Sequence, residues 1–236
     1  MMDTMVKTKN VKSAFSGLEV LQTPARGRFG SMAAFGPPGT GKTFFFEKLG
    51  MDEDYAYIRC KYIDTPRNLL SHIVRELGEE PIGMTGKLFN SAVEQLLQKP
   101  RTLIFDESDY IINKRFVEVV RDLNDVANTP IILVGMENLE RSLKRFPHLY
   151  DRMRAVVKFN TFDAGEIEKL SKDLCTSNLD KTAVDFICKA GSGKFRLTID
   201  LFDLAQRISK QNRLKVVTGE DLQGAYHKSK LSSKAA

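Results

Sequence analysis

Residues 36–43 read Gly36-Pro37-Pro38-Gly39-Thr40-Gly41-Lys42-Thr43, and this octapeptide decides how the rest of the chain is interpreted. Its spacing matches G-x-x-x-x-G-K-[ST], a phosphate-binding loop (P-loop) that joins a strand to a helix. The glycines let backbone N–H groups face phosphate oxygens, Lys42 reaches the β- and γ-phosphates, and the Thr43 hydroxyl holds Mg²⁺. The pattern therefore predicts a site for ATP and Mg²⁺.

The sequence on both sides of the loop favours this interpretation over a chance match. Residues 29–35 are small and apolar, as in a buried strand, and residues 42–49 suit a helix that opens on the loop. Gly50 follows that helix and is interpreted as its C′ glycine.

An acidic pair follows a second apolar run, Thr102-Leu103-Ile104-Phe105-Asp106-Glu107, in the manner of a Walker B motif. Asp106 is expected to contact the Mg²⁺ shell, and Glu107 to polarise the water that attacks the γ-phosphate. Acidic residues are also favoured at a helix N-terminus, which is the alternative explanation. Together with the P-loop, the pair favours the nucleotide site.

The composition, 42% hydrophobic and 28% charged, is that of an ordinary globular protein. The chain has no run of eighteen apolar residues and no apolar signal-peptide region near residue 1, so we expect a cytoplasmic protein without a membrane partner. Its three cysteines lie far apart without a Cys-x-x-Cys pair, which predicts reduced, structural thiols.

The formal net charge of +6 is concentrated at the two ends of the chain. Residues 1–30 carry five Lys/Arg and two Asp/Glu, and residues 206–236 carry seven and two. Basic ends suit contacts to nucleic-acid phosphates, although solvated tails produce the same pattern.

Alternating strand and helix patterns after the P-loop predict a parallel sheet flanked by helices, and only helical patterns follow residue 163. We therefore expect an α/β P-loop fold followed by a small all-helical lid. The predicted divisions are a basic segment 1–30, an ATPase core 31–161, a lid 162–228 and a flexible tail 229–236.

These features in this order resemble the AAA+ ATPases, and within them the DNA-transposition ATPases of the bacteriophage Mu B protein type. The resemblance covers about residues 12–228. The residues that carry it include Thr65-Pro66-Arg67-Asn68-Leu69-Leu70, Asp106-Glu107-Ser108-Asp109, Ile132-Leu133-Val134-Gly135-Met136-Glu137-Asn138-Leu139, Leu143-Lys144-Arg145-Phe146-Pro147 and Tyr150-Asp151-Arg152-Met153-Arg154.

The resemblance implies further site residues. Asn138 is the candidate for the polar sensor 1 residue, because Met136 stands directly after the glycine where the family usually has Asn or Thr. Arg152, or else Arg154, is the candidate arginine finger for a neighbouring subunit's γ-phosphate. Arg196, with Lys194 in reserve, is the candidate sensor 2 cation of the lid. An ordinary structural role is the alternative for each.

The resemblance also implies partners. We expect ATP-dependent assembly of a ring or filament on double-stranded DNA, recruitment of a transposase, and disassembly on hydrolysis. Lys114, Arg115 and Arg121, or the basic N-terminal segment with Lys7, Lys9, Lys12, Arg26 and Arg28, would contact phosphates without reading sequence. A helicase-loading or replication-initiation ATPase, a P-loop kinase of a small acceptor, and a scaffold that scarcely hydrolyses ATP are the alternatives.

Overall fold

The computed structural model describes residues 6–25, 27–113 and 116–232, and these residues group into two units. The α/β unit comprises residues 10–36 and 42–159, apart from the gaps. The helical unit comprises residues 160–232 with the short segments 6–9 and 37–41. The P-loop sequence therefore contributes to both units.

A parallel five-stranded sheet forms the centre of the α/β unit, in the order β2-β3-β4-β1-β5. Its strands are β1 (Ser31–Phe35), β2 (Tyr55–Arg59), β3 (Thr102–Asp106), β4 (Ile131–Gly135) and β5 (Met153–Lys158). β1, β3 and β4 are buried along their whole length, as expected of strands covered by helices on both faces. The predicted P-loop sheet flanked by helices is confirmed.

Eight helices accompany the sheet in the described part of this unit. They are α1 (Lys9–Gln22), α2 (Lys42–Leu49), α3 (Pro66–Glu76), α4 (Thr85–Gln98), α5 (Asp109–Asn113), α6 (Val117–Ala127), α7 (Leu139–Leu143) and α8 (Pro147–Tyr150). α3 begins with Pro66 in its first turn, and the Thr65 side chain caps it by accepting a hydrogen bond from the Asn68 backbone.

The helical unit contains α9 (Ala164–Leu174), α10 (Lys181–Gly191), α11 (Phe195–Asn212) and α12 (Gly219–Ser232). A capping box starts α9: Asp163 accepts from the Glu166 backbone while Glu166 accepts from the Asp163 backbone. Between the helices, β6 (Asn178–Leu179) and β7 (Val216–Val217) form a short parallel pair that the sequence did not predict. The core includes Ile167, Leu170 and Phe202.

The interpretation of Gly50 as a left-handed C′ glycine is wrong. α2 ends at Leu49 as expected, yet Gly50 is not among the glycines with positive φ. A Cβ at this position would lie 2.5 Å from the Cβ of Tyr57, so the close approach of Tyr57 requires the glycine. 

α12 continues to Ser232, into the segment predicted to be a flexible tail, and residues 233–236 lie outside the described part. Arg26, Lys114 and Arg115, all named as possible DNA contacts, lie outside it as well. Within the residues that the structure describes, every helix is too short or too polar to cross a membrane.

Candidate functional site

The candidate site lies at the carboxyl edge of the parallel sheet, where β1, β3 and β4 end. Phe35 of β1 pairs with Gly135 of β4, and Asp106 closes β3 beside Arg59 of β2. In open α/β sheets ligands bind at this edge because the loops that follow the strands converge there.

The P-loop backbone requires its glycines. Gly36, Gly39 and Gly41 have φ values of +157°, +79° and +91°, a region that side chains rarely adopt. A Cβ on Gly36 would lie 2.1 Å from the carbonyl oxygen of Phe159. A loop of this form can turn consecutive N–H groups toward an anion.

Lys42 is the first residue of α2, and its side chain is buried. Its Nζ donates a hydrogen bond to the Gly36 carbonyl at 2.8 Å, which folds the side chain back across the loop. Burial lowers the pKa of Lys42, and the nearby carboxylates oppose that shift, Asp106 most strongly and then Glu107. The structure thus brings Lys42 together with the Walker B pair. Thr43, the next helical residue, is half-buried.

Asp106 is 2% exposed, and both of its carboxylate oxygens accept hydrogen bonds. The Tyr57 hydroxyl donates to Oδ2 at 2.7 Å, and the Glu107 backbone N–H donates to Oδ1 at 2.8 Å. Because a carboxylate has about four lone-pair sites, it keeps capacity for further donors such as metal-bound water.

Glu107 has a left-handed backbone, with φ of +55°. Non-glycine residues in this region carry strain and concentrate at functional sites. Burial raises the pKa of Glu107, the Asp106 charge raises it further, and Arg59 lowers it. The Arg59 Nη2 lies 3.8 Å from Glu107 Oε1. A partly buried carboxylate beside Asp106 is suited to accept a proton from water.

Asp109 organises the loop that follows β4. Its Oδ2 accepts the Met136 backbone N–H at 2.8 Å and would lie 2.3 Å from a Cβ on Gly135, so a side chain at Gly135 would have to displace this carboxylate. Met136 is exposed, and so is Asn138, which precedes α7 without capping it by its side chain. The sensor 1 assignment of Asn138 stays a prediction.

The two candidate fingers lie at the other edge of the sheet. Arg152 precedes β5 and Arg154 lies near its start, whereas the P-loop follows the end of the parallel neighbour β1. A five-residue strand is about 16 Å long, so neither arginine lies beside its own P-loop. Arg152 binds Asp125, and Arg154 Nη1 donates to the Thr23 carbonyl.

In the helical unit, the Lys194 side chain packs against Gly39 of the P-loop segment. A Cβ on Gly39 would lie 3.5 Å from the Lys194 Cβ, and one on Gly41 would lie 3.6 Å from the Phe195 ring. Arg196, two residues on, is exposed in the first turn of α11. The sensor 2 assignment of Arg196 stays a prediction.

Of the predicted DNA-binding residues Lys114, Arg115 and Arg121, only Arg121 lies in the described part of the chain. It forms ion pairs with acidic neighbours. Its guanidinium lies 2.5 Å from Glu118, 2.7 Å from Asp122 and 3.9 Å from Asp125. These ion pairs provide a structural role for the arginine on α6.

Sequence reasoning missed Tyr57 and Arg59, which belong to no motif. The strand order would have found them: β2 lies beside β3, so the last residues of β2 flank Asp106. 

These residues fit Mg²⁺. Across the described ranges, with gaps at residue 26 and residues 114–115, no three His, Cys, Asp or Glu side chains form a metal cage. Mg²⁺ does not need one, since it keeps several waters and binds through one or two carboxylates and phosphates. The buried Asp106 carboxylate, with its remaining lone pairs, and the Thr43 hydroxyl match that requirement.

A family model for the AAA domain matches residues 26–143, half of the chain. The chain is 27% identical over 198 residues to human ATPase family AAA domain-containing protein 3B, covering 80% of this chain and 28% of the relative. It is 22% identical over 240 residues to ORC1-type DNA replication protein 1 of Sulfurisphaera tokodaii, covering 88% of this chain and 59% of the relative. The chain thus spans less than two thirds of either relative.

Solved structures share the fold. The Aeropyrum pernix ORC2 protein in ADPNP-ADP complexes matches with a TM-score of 0.71 at 15% identity, covering 93% of this chain and 67% of that one. The Aeropyrum pernix ORC1 protein in complex with DNA matches with a TM-score of 0.64 at 17% identity, covering 93% and 64%. The five-stranded parallel sheet is that of the AAA+ P-loop proteins.

Proposed function

Because this chain belongs to the AAA domain family, we propose that it is an ATPase that acts as an ATP-dependent switch on duplex DNA. One observation carries the proposal: Lys42 starts the helix after a P-loop with the required backbone, and Asp106 and Glu107 lie at the carboxyl end of β3 in the same parallel sheet. The reaction is ATP plus water to ADP and phosphate.

Each residue has a definite task in this reaction. The P-loop N–H groups and Lys42 bind the phosphates, and Thr43 and Asp106 hold Mg²⁺, which supplies positive charge against the phosphate oxygens. Glu107 orients the attacking water and accepts its proton. Catalysis then rests on positioning and charge stabilisation.

Assembly of subunits completes the site in this proposal. Since Arg152 and Arg154 lie at the sheet edge opposite their own P-loop, a finger can act only on a neighbouring subunit's γ-phosphate. A homo-oligomeric ring or filament with ATP at its interfaces follows, and hydrolysis is slow in the isolated subunit. In the lid, Arg196 or Lys194 would sense the γ-phosphate.

The DNA process served by the switch has two candidates. The resemblance around Ile132–Leu139 supports control of DNA transposition, with a transposase as the partner. The ORC1-type relative, named as a DNA replication protein, supports a replication-initiation or helicase-loading role. Both candidates use the same nucleotide residues, so only the protein partner separates them.

A small-acceptor kinase and an ATP-binding scaffold are the competing functions. Glu107 beside Asp106 suits water activation and favours hydrolysis over a kinase. The exposed Met136 at the sensor 1 position is the feature that favours a scaffold.

The test measures ATP hydrolysis against protein concentration, with and without duplex DNA, together with sedimentation in a non-hydrolysable ATP analogue. We expect DNA-dependent assembly and a rate that rises faster than linearly with protein. Glu107→Gln should slow hydrolysis by about 10²- to 10⁴-fold while ATP binding and the DNA complex persist. Lys42→Ala should lose ATP binding.

Other results would contradict the proposal in different ways. A monomer that is indifferent to DNA and hydrolyses ATP linearly with protein would exclude the shared-site switch. Phosphate transfer to a small acceptor would establish the kinase. Equal lifetimes of the wild-type and Glu107→Gln DNA complexes would favour the scaffold. Pull-down with a transposase or a replicative helicase then separates the two DNA processes.

A further inference from the structure

Tyr57 lies in the middle of β2, and its side chain reaches the end of the neighbouring strand. In the parallel register Tyr57 pairs with Ile104 and Arg59 pairs with Asp106. The tyrosine ring therefore crosses a step of two residues, about 6.6 Å, on the sheet face that Asp106 also occupies. Its hydroxyl ends 2.7 Å from Asp106 Oδ2.

The Tyr57 ring packs closely against the residue that follows α2. Gly50, directly after α2, has no Cβ, and a Cβ there would lie only 2.5 Å from that of Tyr57. A tyrosine hydroxyl is protonated at neutral pH and an ionised carboxylate can only accept, so the Tyr57 hydroxyl is the donor in this hydrogen bond. Asp106 is therefore the acceptor.

We propose that Tyr57 is a positioning residue for the Mg²⁺ site: its hydroxyl fixes the Asp106 carboxylate and thereby strengthens binding of Mg²⁺ to the nucleotide-bound protein. The inference rests on the proposed ATPase function. Partners that orient a metal-binding carboxylate change metal affinity, typically by 10- to 100-fold on removal. A carboxylate that is already ordered also loses less side-chain entropy when it binds.

The chain offers a matched control. Tyr55 lies two residues earlier on the same strand and face, and its hydroxyl accepts a hydrogen bond from Gln22 Nε2 at 2.9 Å. Tyr55 is buried, whereas Tyr57 is half-buried. Tyr55→Phe therefore removes a buried hydroxyl of the same strand without touching Asp106.

The experiment titrates Mg²⁺ into protein that carries a fluorescent ATP analogue, and repeats the titration with Mn²⁺ followed by electron paramagnetic resonance. We expect Tyr57→Phe to raise the half-saturating metal concentration about tenfold or more, while affinity for the nucleotide in EDTA stays at the wild-type value. Tyr55→Phe should match the wild type in both measurements.

A double variant excludes a merely structural effect. In an Asp106→Asn background, adding Tyr57→Phe should produce no further change in the half-saturating metal concentration, because Tyr57 acts through the Asp106 carboxylate. Gly50→Ala keeps every hydrogen-bonding group but displaces the Tyr57 ring at a cost in stability. If it folds, it should also raise the half-saturating metal concentration, and it serves as the alternative if Tyr57→Phe does not fold.

The outcomes separate the two proposals. If the wild type binds the nucleotide and Tyr57→Phe has unchanged metal affinity, the role of Tyr57 is overturned while the ATPase proposal stands. The role of Tyr57 is also overturned if Tyr57→Phe still lowers metal affinity in the Asp106→Asn background. If the wild type binds no nucleotide with or without Mg²⁺, the proposed function fails and this inference fails with it.

Discussion

Arg152 binds Asp125 through two parallel hydrogen bonds, from Nε to Oδ1 at 3.0 Å and from Nη2 to Oδ2 at 2.9 Å. Its remaining nitrogen, Nη1, donates to the His148 carbonyl. The two side chains are 34% and 30% exposed, so water reaches the pair. To act as an arginine finger, Arg152 must release Asp125 and bind the γ-phosphate of ATP held by a neighbouring subunit.

The first prediction compares the two halves of this ion pair. Arg152→Ala should lower hydrolysis by assembled protein at least about 100-fold, since arginine fingers contribute about 10³–10⁵. Asp125→Ala removes the same ion pair but keeps the guanidinium, so hydrolysis should persist. Steady-state hydrolysis at saturating protein concentration measures the difference.

Stability provides the control for that comparison. Both variants should lose the small contribution of a partly exposed ion pair, about 0.2–1 kcal/mol of the free energy of unfolding. Arg152→Ala should lose slightly more, because it also removes the hydrogen bond to the His148 carbonyl. Equal losses of hydrolysis in both variants would show that Arg152 acts only through Asp125, and Arg154→Ala would then test the second candidate finger.

The second prediction concerns the start of α9. Asp163 accepts the Glu166 backbone N–H at 2.9 Å and also binds Lys9. Asp163→Ala should lower the free energy of unfolding by about 1 kcal/mol, and Tm by about 2–4 °C for a chain of this size. Asp163→Asn keeps a capping acceptor and should lose less. Thermal unfolding followed by circular dichroism checks both, and equal losses would contradict the capping role.

The same side chain gives a pH dependence. The hydrogen bond from Lys9 lowers the pKa of Asp163, and the Glu166 backbone N–H lowers it further. Its ionised form therefore stabilises the fold fully above the ordinary aspartate pKa of about 3.9, and this contribution is lost as pH falls through the lower folded-state pKa. The stability difference between wild type and Asp163→Asn should be constant from neutral pH down to about pH 5 and shrink below about pH 4.

The third prediction contrasts two glycines. Gly50→Ala should lower the free energy of unfolding by about 1–3 kcal/mol, because its Cβ would lie 2.5 Å from the Tyr57 Cβ and the sheet must shift. Gly86, in the first turn of α4, has no neighbour within 4 Å of its Cβ position. Gly86→Ala should therefore be neutral or stabilising by up to about 1 kcal/mol. Denaturant unfolding measures both, and equal stabilities would contradict the packing argument.

Much of the fold could be predicted because the central strands are apolar runs bounded by polar residues. The helix of residues 42–49 and the strand of residues 102–106 have the predicted bounds. α1 was missed, since its buried positions include the small or polar residues Asn10, Ala14 and Gly17 and so give only a weak apolar pattern. The start of β5 at Met153 is not evident from the sequence, because this edge strand is only partly buried and lacks a continuous apolar signal.

The site was predictable where its residues form contiguous motifs. Lys42 follows the loop after the buried strand β1, Asp106 ends the buried strand β3 and Glu107 comes next, so local sequence predicts them as candidates. Tyr57 lies 49 residues from Asp106, and only the strand order brings it there. Sequence spacing alone also could not reveal that Arg152 binds Asp125, 27 residues away.

The last prediction separates the candidate DNA-binding cations. The Arg121 guanidinium lies close to Glu118 and Asp122, whereas Lys7 and Lys12 are exposed. Arg121→Ala should leave affinity for duplex DNA unchanged. Lys7→Ala/Lys12→Ala should weaken it equally for unrelated sequences, and the slope of log affinity against log salt should fall by about 2 if both contact phosphates. Fluorescence anisotropy over a salt series checks this, and a larger loss from Arg121→Ala would assign the contact to α6.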